Sequence, residues 1–304
     1  MTDTPVLLIG FNRPESTAEV FESVRAARPA RLFMAVDGPR SEDERVIVEE
    51  VRAFADRVDW PCEVKTLFRD ENVGCTLGVS GAITWFFEHV ESGIILEDDC
   101  VPTQSFYLFC SEMLSRFADD TRVMHVAGYN HVPEAVWDED YSYHFSQYGY
   151  MWGWATWRRA WQHYDVTLPH FDEVVAKGYL DGALPNRAAL RYHLKKIRDA
   201  RDGTNDTWDY QWDFVRLTQS GLSIVPNTNM IENIGFGEGA THTLSENNPS
   251  TANPSRELPL PIRHPPFMVV DAKSDRAYFT FLARWTARRK ALGILQRPGF
   301  RAEG

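Results

Sequence analysis

Hydrophobic and polar positions in the first third of the chain fall into two alternating kinds of segment. Val6-Leu7-Leu8-Ile9-Gly10-Phe11 is a continuous apolar run, the pattern of a strand covered on both faces. Asn12-Arg13-Pro14 ends it and opens a helix near Glu15. Arg31 to Val36 predicts a second strand, ending at Asp37-Gly38-Pro39. Ser41, with Glu44 three residues on, is a capping box that starts the next helix. Glu63 to Phe68 predicts a third strand, and Asn72-Val73-Gly74 leads into a helix from about Leu77 to His89. Ile94, Ile95 and Leu96 form a fourth apolar strand, which stops at Glu97-Asp98-Asp99 and is closed by Pro102. This alternation predicts an α/β fold: a mostly parallel central sheet with right-handed crossovers, flanked by helices. Ligands of such sheets sit at the carboxyl ends of the strands.

The pattern changes after Arg122 to Ala127, a further predicted strand. Tyr141 to Tyr164 is dense in aromatic residues. Trp154, Trp157 and Trp161 have the spacing of one helix face, which for Trp157 and Trp161 reads as packing. Trp152 and Trp154 flank Gly153, where a ring could be offered to a sugar. Helices are expected near Phe171–Lys177 and Arg187–Arg201, and then an N-capped helix over Asn205–Asp213. Asp209 lies in its first turn, where the helix dipole stabilises a carboxylate. That is a structural account in itself; a general base would need Asp209 to face the cleft. Leu222 to Pro226 is the last strand. The glycine-rich segment Ile231 to Thr243 reads either as a plain connection or as a loop that closes over an anion.

Composition narrows the function. A net charge of -11 argues against nucleic acid as a partner. The four cysteines show no C-x-x-C spacing and read as reduced thiols, which points to the cytoplasm. Neither a secretory signal nor a membrane-spanning stretch is recognisable. The dinucleotide fingerprint and the P-loop are both missing from the sequence. Three adjacent carboxylates at the end of a buried strand call for a counter-charge. A divalent cation, Mg²⁺ or Mn²⁺, completed by substrate phosphates would supply it; a solvated acidic loop is the plainer alternative.

These features occur in the order found in one group of enzymes. The chain resembles the GT-A (Rossmann-like) nucleotide-sugar glycosyltransferases, most closely the inverting N-acetylglucosaminyltransferase I type (family 13) and related bacterial family 2-like enzymes. The resemblance rests on Asn12-Arg13, Asp37, the D-x-D-type run Glu97-Asp98-Asp99, Gly153-Trp154, Trp208-Asp209 and the Asn233-to-His242 loop. It implies that Asp99 contacts the metal and that Asp98 approaches the sugar and ribose. It also implies that Asp37 binds a uracil ring and that Arg13 lies near the nucleotide, with Phe11, Asn72 and Glu97 on the donor side. Asp209 becomes the general base and Thr241 a diphosphate contact. His242 becomes a second metal ligand, in the manner of family 2. Trp152, Trp154 and Trp208 are then the acceptor-binding residues. Residues 1–125 form the nucleotide-sugar half, 126–245 the acceptor and catalytic half, and 246–304 a C-terminal loop and basic amphipathic helix. The implied partners are a nucleotide-sugar donor, UDP-linked, and a saccharide or lipid-linked acceptor of surface polysaccharide synthesis. Two other classes stay open: a sugar-nucleotide nucleotidyltransferase and a non-catalytic carbohydrate-binding protein. Eight basic residues against one acid between Lys273 and Arg301 suit either a helix packed on the domain or contact with an anionic inner membrane face.

Overall fold

The structure, a computed structural model, describes residues 2–132, 140–235 and 253–291, with the side chains of 285 and 288–291 left aside. Four apolar runs form the strands β1 (Val6–Gly10), β2 (Arg31–Val36), β3 (Glu63–Phe68) and β4 (Ser92–Glu97). They pair in parallel in the spatial order β3-β2-β1-β4. The crossovers carry α1 (Pro14–Ala27), α2 (Glu42–Arg52) and α3 (Gly74–His89). Proline at the start of α1 suits a position whose N–H has no helical partner. At α2, the Ser41 hydroxyl accepts from the Glu44 N–H at 3.4 Å, while the Glu44 carboxylate accepts from the Arg40 N–H at 2.7 Å. The box is thus shifted by one residue from its usual form.

Beyond β4 the chain makes β5 (Cys100–Pro102), α4 (Gln104–Arg116), β6 (Val123–Ala127), β7 (Tyr143–Ser146), β8 (Trp154–Trp157) and the short α5 (Arg158–Trp161). It continues through α6 (Phe171–Ala176), α7 (Arg187–Arg201), α8 (Asp209–Thr218), β9 (Leu222–Pro226), β10 (Ile231–Asn233) and α9 (Ala272–Ala291). The main sheet has eight strands in the order β3-β2-β1-β4-β8-β6-β9-β7. It is parallel through its first half. Strand β8 then enters antiparallel between β4 and β6, β6 and β9 are parallel, and β7 closes the edge antiparallel. Strand β5 pairs with β10 in a separate two-stranded ribbon.

Helices cover both faces. One core layer joins Leu7, Ile9 and Ile95 to Phe86 of α3, Trp161 of α5 and Trp212 of α8. The other joins Val6, Leu8 and Leu96 to Phe21 of α1 and Phe109 of α4. The expected tryptophan helix is corrected here. Trp154 and Trp157 belong to a strand, so their side chains alternate: Trp154 enters the first layer and Trp157 the second. Helix α9 docks by its buried Ser274, Asp275 and Leu282, leaving Lys273, Arg276 and Arg284 exposed. Among the described residues no helix is long and apolar enough to cross a membrane.

Candidate active site

Polar side chains collect where the parallel strands end. Strand β4 is buried until Glu97, and the backbone then turns through Asp98 and Asp99 into β5. Arg13, in the short connection after β1, reaches across to both aspartates. Its guanidinium pairs with Asp98 through Nη2 and with Asp99 through Nη1, the latter at 3.0 Å. The Phe11 N–H donates to the second Asp98 oxygen at 3.3 Å. Cys100 donates its thiol proton to Asp99 Oδ1 at 3.3 Å. Residues 233–235 press on the same carboxylate. A Cβ at Gly235 would lie 2.2 Å from Asp99 Oδ2, so the close approach needs glycine.

One guanidinium does not neutralise this group. Burial raises the Asp98 pKa to about 6, with Arg13 opposing and Asp99 adding to the rise. Glu97 is pushed well above the usual carboxylate range, first by burial and then by Asp99, Asp98 and Asp209. Asp209 is therefore close enough to be felt at the acidic run, although it comes from α8. It heads that helix, and its Oδ1 accepts from the Thr207 hydroxyl and from the Tyr210 N–H at 2.9 Å. Asp213, one turn on, is differently placed: it pairs with the buried Arg216 and lies 3.8 Å from His193.

The next two strands end in a tied pair of loops. Asp37 accepts from the Gly38 N–H at 3.0 Å, from the Val73 N–H at 3.1 Å and from the Asn72 amide at 3.0 Å. Asn72 also donates to the Gly38 carbonyl at 3.0 Å. A Cβ on Gly38 would meet the Glu71 backbone at 2.3 Å, so the Asp37-Gly38 turn is shaped by this contact. Phe11 lies beside the loops, with the Arg40 guanidinium 5.1 Å from its ring centroid.

The structure brings Phe11, Arg13, Asp37, Asn72, Glu97, Asp98, Asp99 and Asp209 to one end of the sheet. It corrects the aromatic platform. Trp154 is fully buried, stacked between His125 at 4.9 Å and Trp208 at 5.5 Å. Trp208 is 3% exposed, so neither ring has a face for a sugar. Trp152 is half-buried, edge-on to Tyr129 at 4.8 Å. Thr241 and His242, with most of the glycine-rich loop, lie outside the described residues. One residue was missed. Asp206 accepts from the Cys75 and Thr76 N–H groups at 3.0 and 2.9 Å and so caps α3 from a distance of 130 residues along the chain. Its place in Asn205-Asp206-Thr207 suggested a cap, but for the helix that follows.

No protein-family model matches the sequence, and no curated protein does. Among solved structures the chain is similar to the galactosyltransferase LgtC in complex with donor and acceptor sugar analogs, at 14% identity and a TM-score of 0.34. That match covers 57% of this chain and spans 64% of the galactosyltransferase. HddC from Yersinia pseudotuberculosis is 11% identical, with a TM-score of 0.31 and coverage of 51% and 77%. The 4-diphosphocytidyl-2C-methyl-D-erythritol synthase of Anaerococcus prevotii is 6% identical, with a TM-score of 0.31 and coverage of 52% and 73%. An N-acetylglucosaminyltransferase I is not among these three.

Proposed function

We propose that this chain is a metal-dependent inverting glycosyltransferase that moves a sugar from a nucleotide diphosphate, UDP by preference, to a hydroxyl of a saccharide or glycolipid. The observation that carries the reading is the excess of carboxylate at the strand ends. Asp98, Asp99 and Asp209 all act on Glu97, and among the described residues Arg13 pairs with Asp98 and Asp99. Such a field suits a ligand that arrives with positive charge of its own. Asp98 and Asp99 offer the hard oxygen donors that Mg²⁺ and Mn²⁺ prefer. Among the described residues no three His, Cys, Asp or Glu side chains are grouped as an ion cage, so substrate phosphates would complete the shell. His242 keeps its proposed part as a further ligand, and Thr241 as a contact to the diphosphate. When bound, the ion supplies charge against the developing leaving group.

The chain's own residues do the rest. A cation held by Asp98 and Asp99 would compete with Arg13 for their oxygens and would leave its guanidinium for the donor phosphates. The loops tied by Asp37 and Asn72, with Phe11, hold the base and ribose. Asp209 takes the proton of the acceptor hydroxyl, and a single displacement on one base inverts the anomeric carbon. Nucleotidyl transfer is the weaker reading. Its triphosphate would need a wrapping loop after β1, and only residues 11–13 separate β1 from α1.

The test is a donor screen that follows nucleoside diphosphate release with Mn²⁺, run beside calorimetry of UDP and Mn²⁺ on wild type and Asp99→Ala. Wild type is expected to bind and release; Asp99→Ala is expected to lose metal-dependent UDP affinity while keeping its circular dichroism. Equal affinity in the two proteins would remove Asp99 from the metal. Pyrophosphate release from a nucleoside triphosphate and a sugar phosphate would overturn the reading itself.

A further inference from the structure

The sixteen-residue helix α3 has no cap of its own. Its N-cap residue is Val73, which offers no side-chain acceptor. Four successive N–H groups at its head are nevertheless taken, by side chains from three places. Asp37, at the end of β2, accepts from Val73 at 3.1 Å, and Asn72, in the turn itself, accepts from Gly74 at 3.2 Å. Asp206, in the loop between α7 and α8, accepts from Cys75 and Thr76 at 3.0 and 2.9 Å. A serine at position 73 would have capped the helix locally. The imported cap does what a local one would not: it ties the segment before α8 to the turn that Asp37 and Asn72 shape.

The tie is close and doubled. Gly74 has a φ of 81°, and a Cβ there would lie 3.1 Å from Asp206 Oδ2. The Thr76 hydroxyl donates to the Thr207 carbonyl at 3.0 Å, which also accepts from the Gln211 amide at 2.9 Å. Thr207 is buried, and its own hydroxyl donates to Asp209 Oδ1. Trp208, between them, is held by its stacking on Trp154 and by the Tyr164 hydroxyl, which donates to its carbonyl at 3.2 Å. A line of bonds thus runs from Asp37 through the head of α3 to the Asp209 carboxylate. Burial first, and then the charges of Glu97, Asp206, Asp209 and Asp99, push the Cys75 thiol well above its usual range, so this turn of α3 lies within reach of the acidic run as well.

We infer that Asp206 and Thr207 are positioning residues, which hold the Asp209 carboxylate in register with the nucleotide-binding turns at the head of α3. Asp206 sets where the segment lies, and Thr207 sets how the carboxylate is turned. The parts given to Asp209 and to these turns rest on the transferase reading; the tie between the two segments does not.

Amide exchange on the full chain without ligand tests the tie. Asp206→Ala is expected to speed exchange about tenfold over residues 73–77 and also over 208–212, and Asp206→Asn, which keeps one acceptor oxygen, by less. Unchanged exchange over 208–212 in Asp206→Ala overturns the tie. Release of UDP from UDP-glucose, UDP-galactose and UDP-N-acetylglucosamine with Mn²⁺ tests the positioning. Thr207→Val keeps the shape of the side chain and is expected to lower kcat by about 10–100-fold, the cost of a misplaced catalytic group, with donor KM near wild type. Thr207→Ser should restore most of the loss. In an Asp209→Asn background Thr207→Val should cost nothing further, because it acts through the residue already removed. A loss of equal size in both backgrounds, or none in either, overturns the positioning role while leaving the transferase reading intact. Release from none of the three donors by wild type removes the transferase reading instead, and the exchange in Asp206→Ala still decides the tie.

Discussion

Arg13 shows what a single residue can decide. Its guanidinium spans two aspartates at a strand end and ties β1 to the turn after β4. The acidic run is legible from its position after an apolar stretch, but its counter-charge is not. The sequence suggests a metal as that counter-charge; the ion pair with Arg13, across some 85 residues of chain, has no local signature. The same limit applies to choosing between Asp209 and Asp213, which share a helix and a charge. The structure separates them by their neighbours. Asp213 is committed to the buried Arg216. Asp209 is near enough to the acidic run to add to the rise of Glu97. Asp209→Asn is therefore expected to lower turnover by a factor of about 10²–10⁴, with UDP affinity near wild type. Asp213→Asn should instead cost stability, roughly 3–5 kcal/mol, by stranding Arg216. Steady-state kinetics and urea unfolding on both variants check the pair. Selective inactivation of Asp213→Asn would mean that the roles are reversed.

At the scale of elements, the long apolar strands and their crossover helices could be read directly, because each carries its own period. Short strands could not. Strands β5, β7, β8 and β10 have three or four residues each and exist through their pairing partners. The spacing of Trp154 and Trp157 therefore matches a helix face although both lie in β8. Helix α9 was foreseen as an amphipathic segment, but its anchor was not, since Asp275 looked like one more surface charge. Its carboxylate accepts from the Ser146 hydroxyl at 2.5 Å and from the Gln147 N–H at 3.1 Å, and it is 2% exposed. Burial raises its pKa from 3.8 to about 6 against the pull of those bonds. The folded state thus holds the proton more tightly than the unfolded chain. The Asp275 contribution to stability is fully present below pH 3.8 and is lost as pH rises through about 6. The whole change amounts to about 3 kcal/mol. Asp275→Asn removes it, so the stability of the variant minus that of wild type should climb by about this much between pH 4 and 7. Urea unfolding at the two pH values gives the difference, and a pH-independent difference would mean that Asp275 ionises freely.

For the whole molecule the relevant quantity is where its charge sits. The chain as a whole carries -11, yet Lys273 to Arg301 holds eight basic residues and a single acid. That acid, Asp275, is buried in the domain, whereas Lys273, Arg276 and Arg284 are exposed. The apolar stripe of α9 is spent differently. Leu282 is buried, and Tyr278 and Phe279 pack against the main core. A helix that uses its apolar side on its own domain has little left to insert into a bilayer. What remains is electrostatic adsorption, on the order of 1 kcal/mol for each basic group near an anionic surface. The acidic body opposes it only within a Debye length, about 8–10 Å at moderate salt. The expected outcome is flotation with anionic vesicles at low salt, no flotation with neutral ones, and release as salt is raised. Truncation after Ala291 should weaken it by removing Arg297 and Arg301 while leaving the docked part of α9 in place. Binding to neutral vesicles that survives high salt would mean that α9 leaves the domain to insert. No flotation at low salt would confine the acceptor to soluble saccharides.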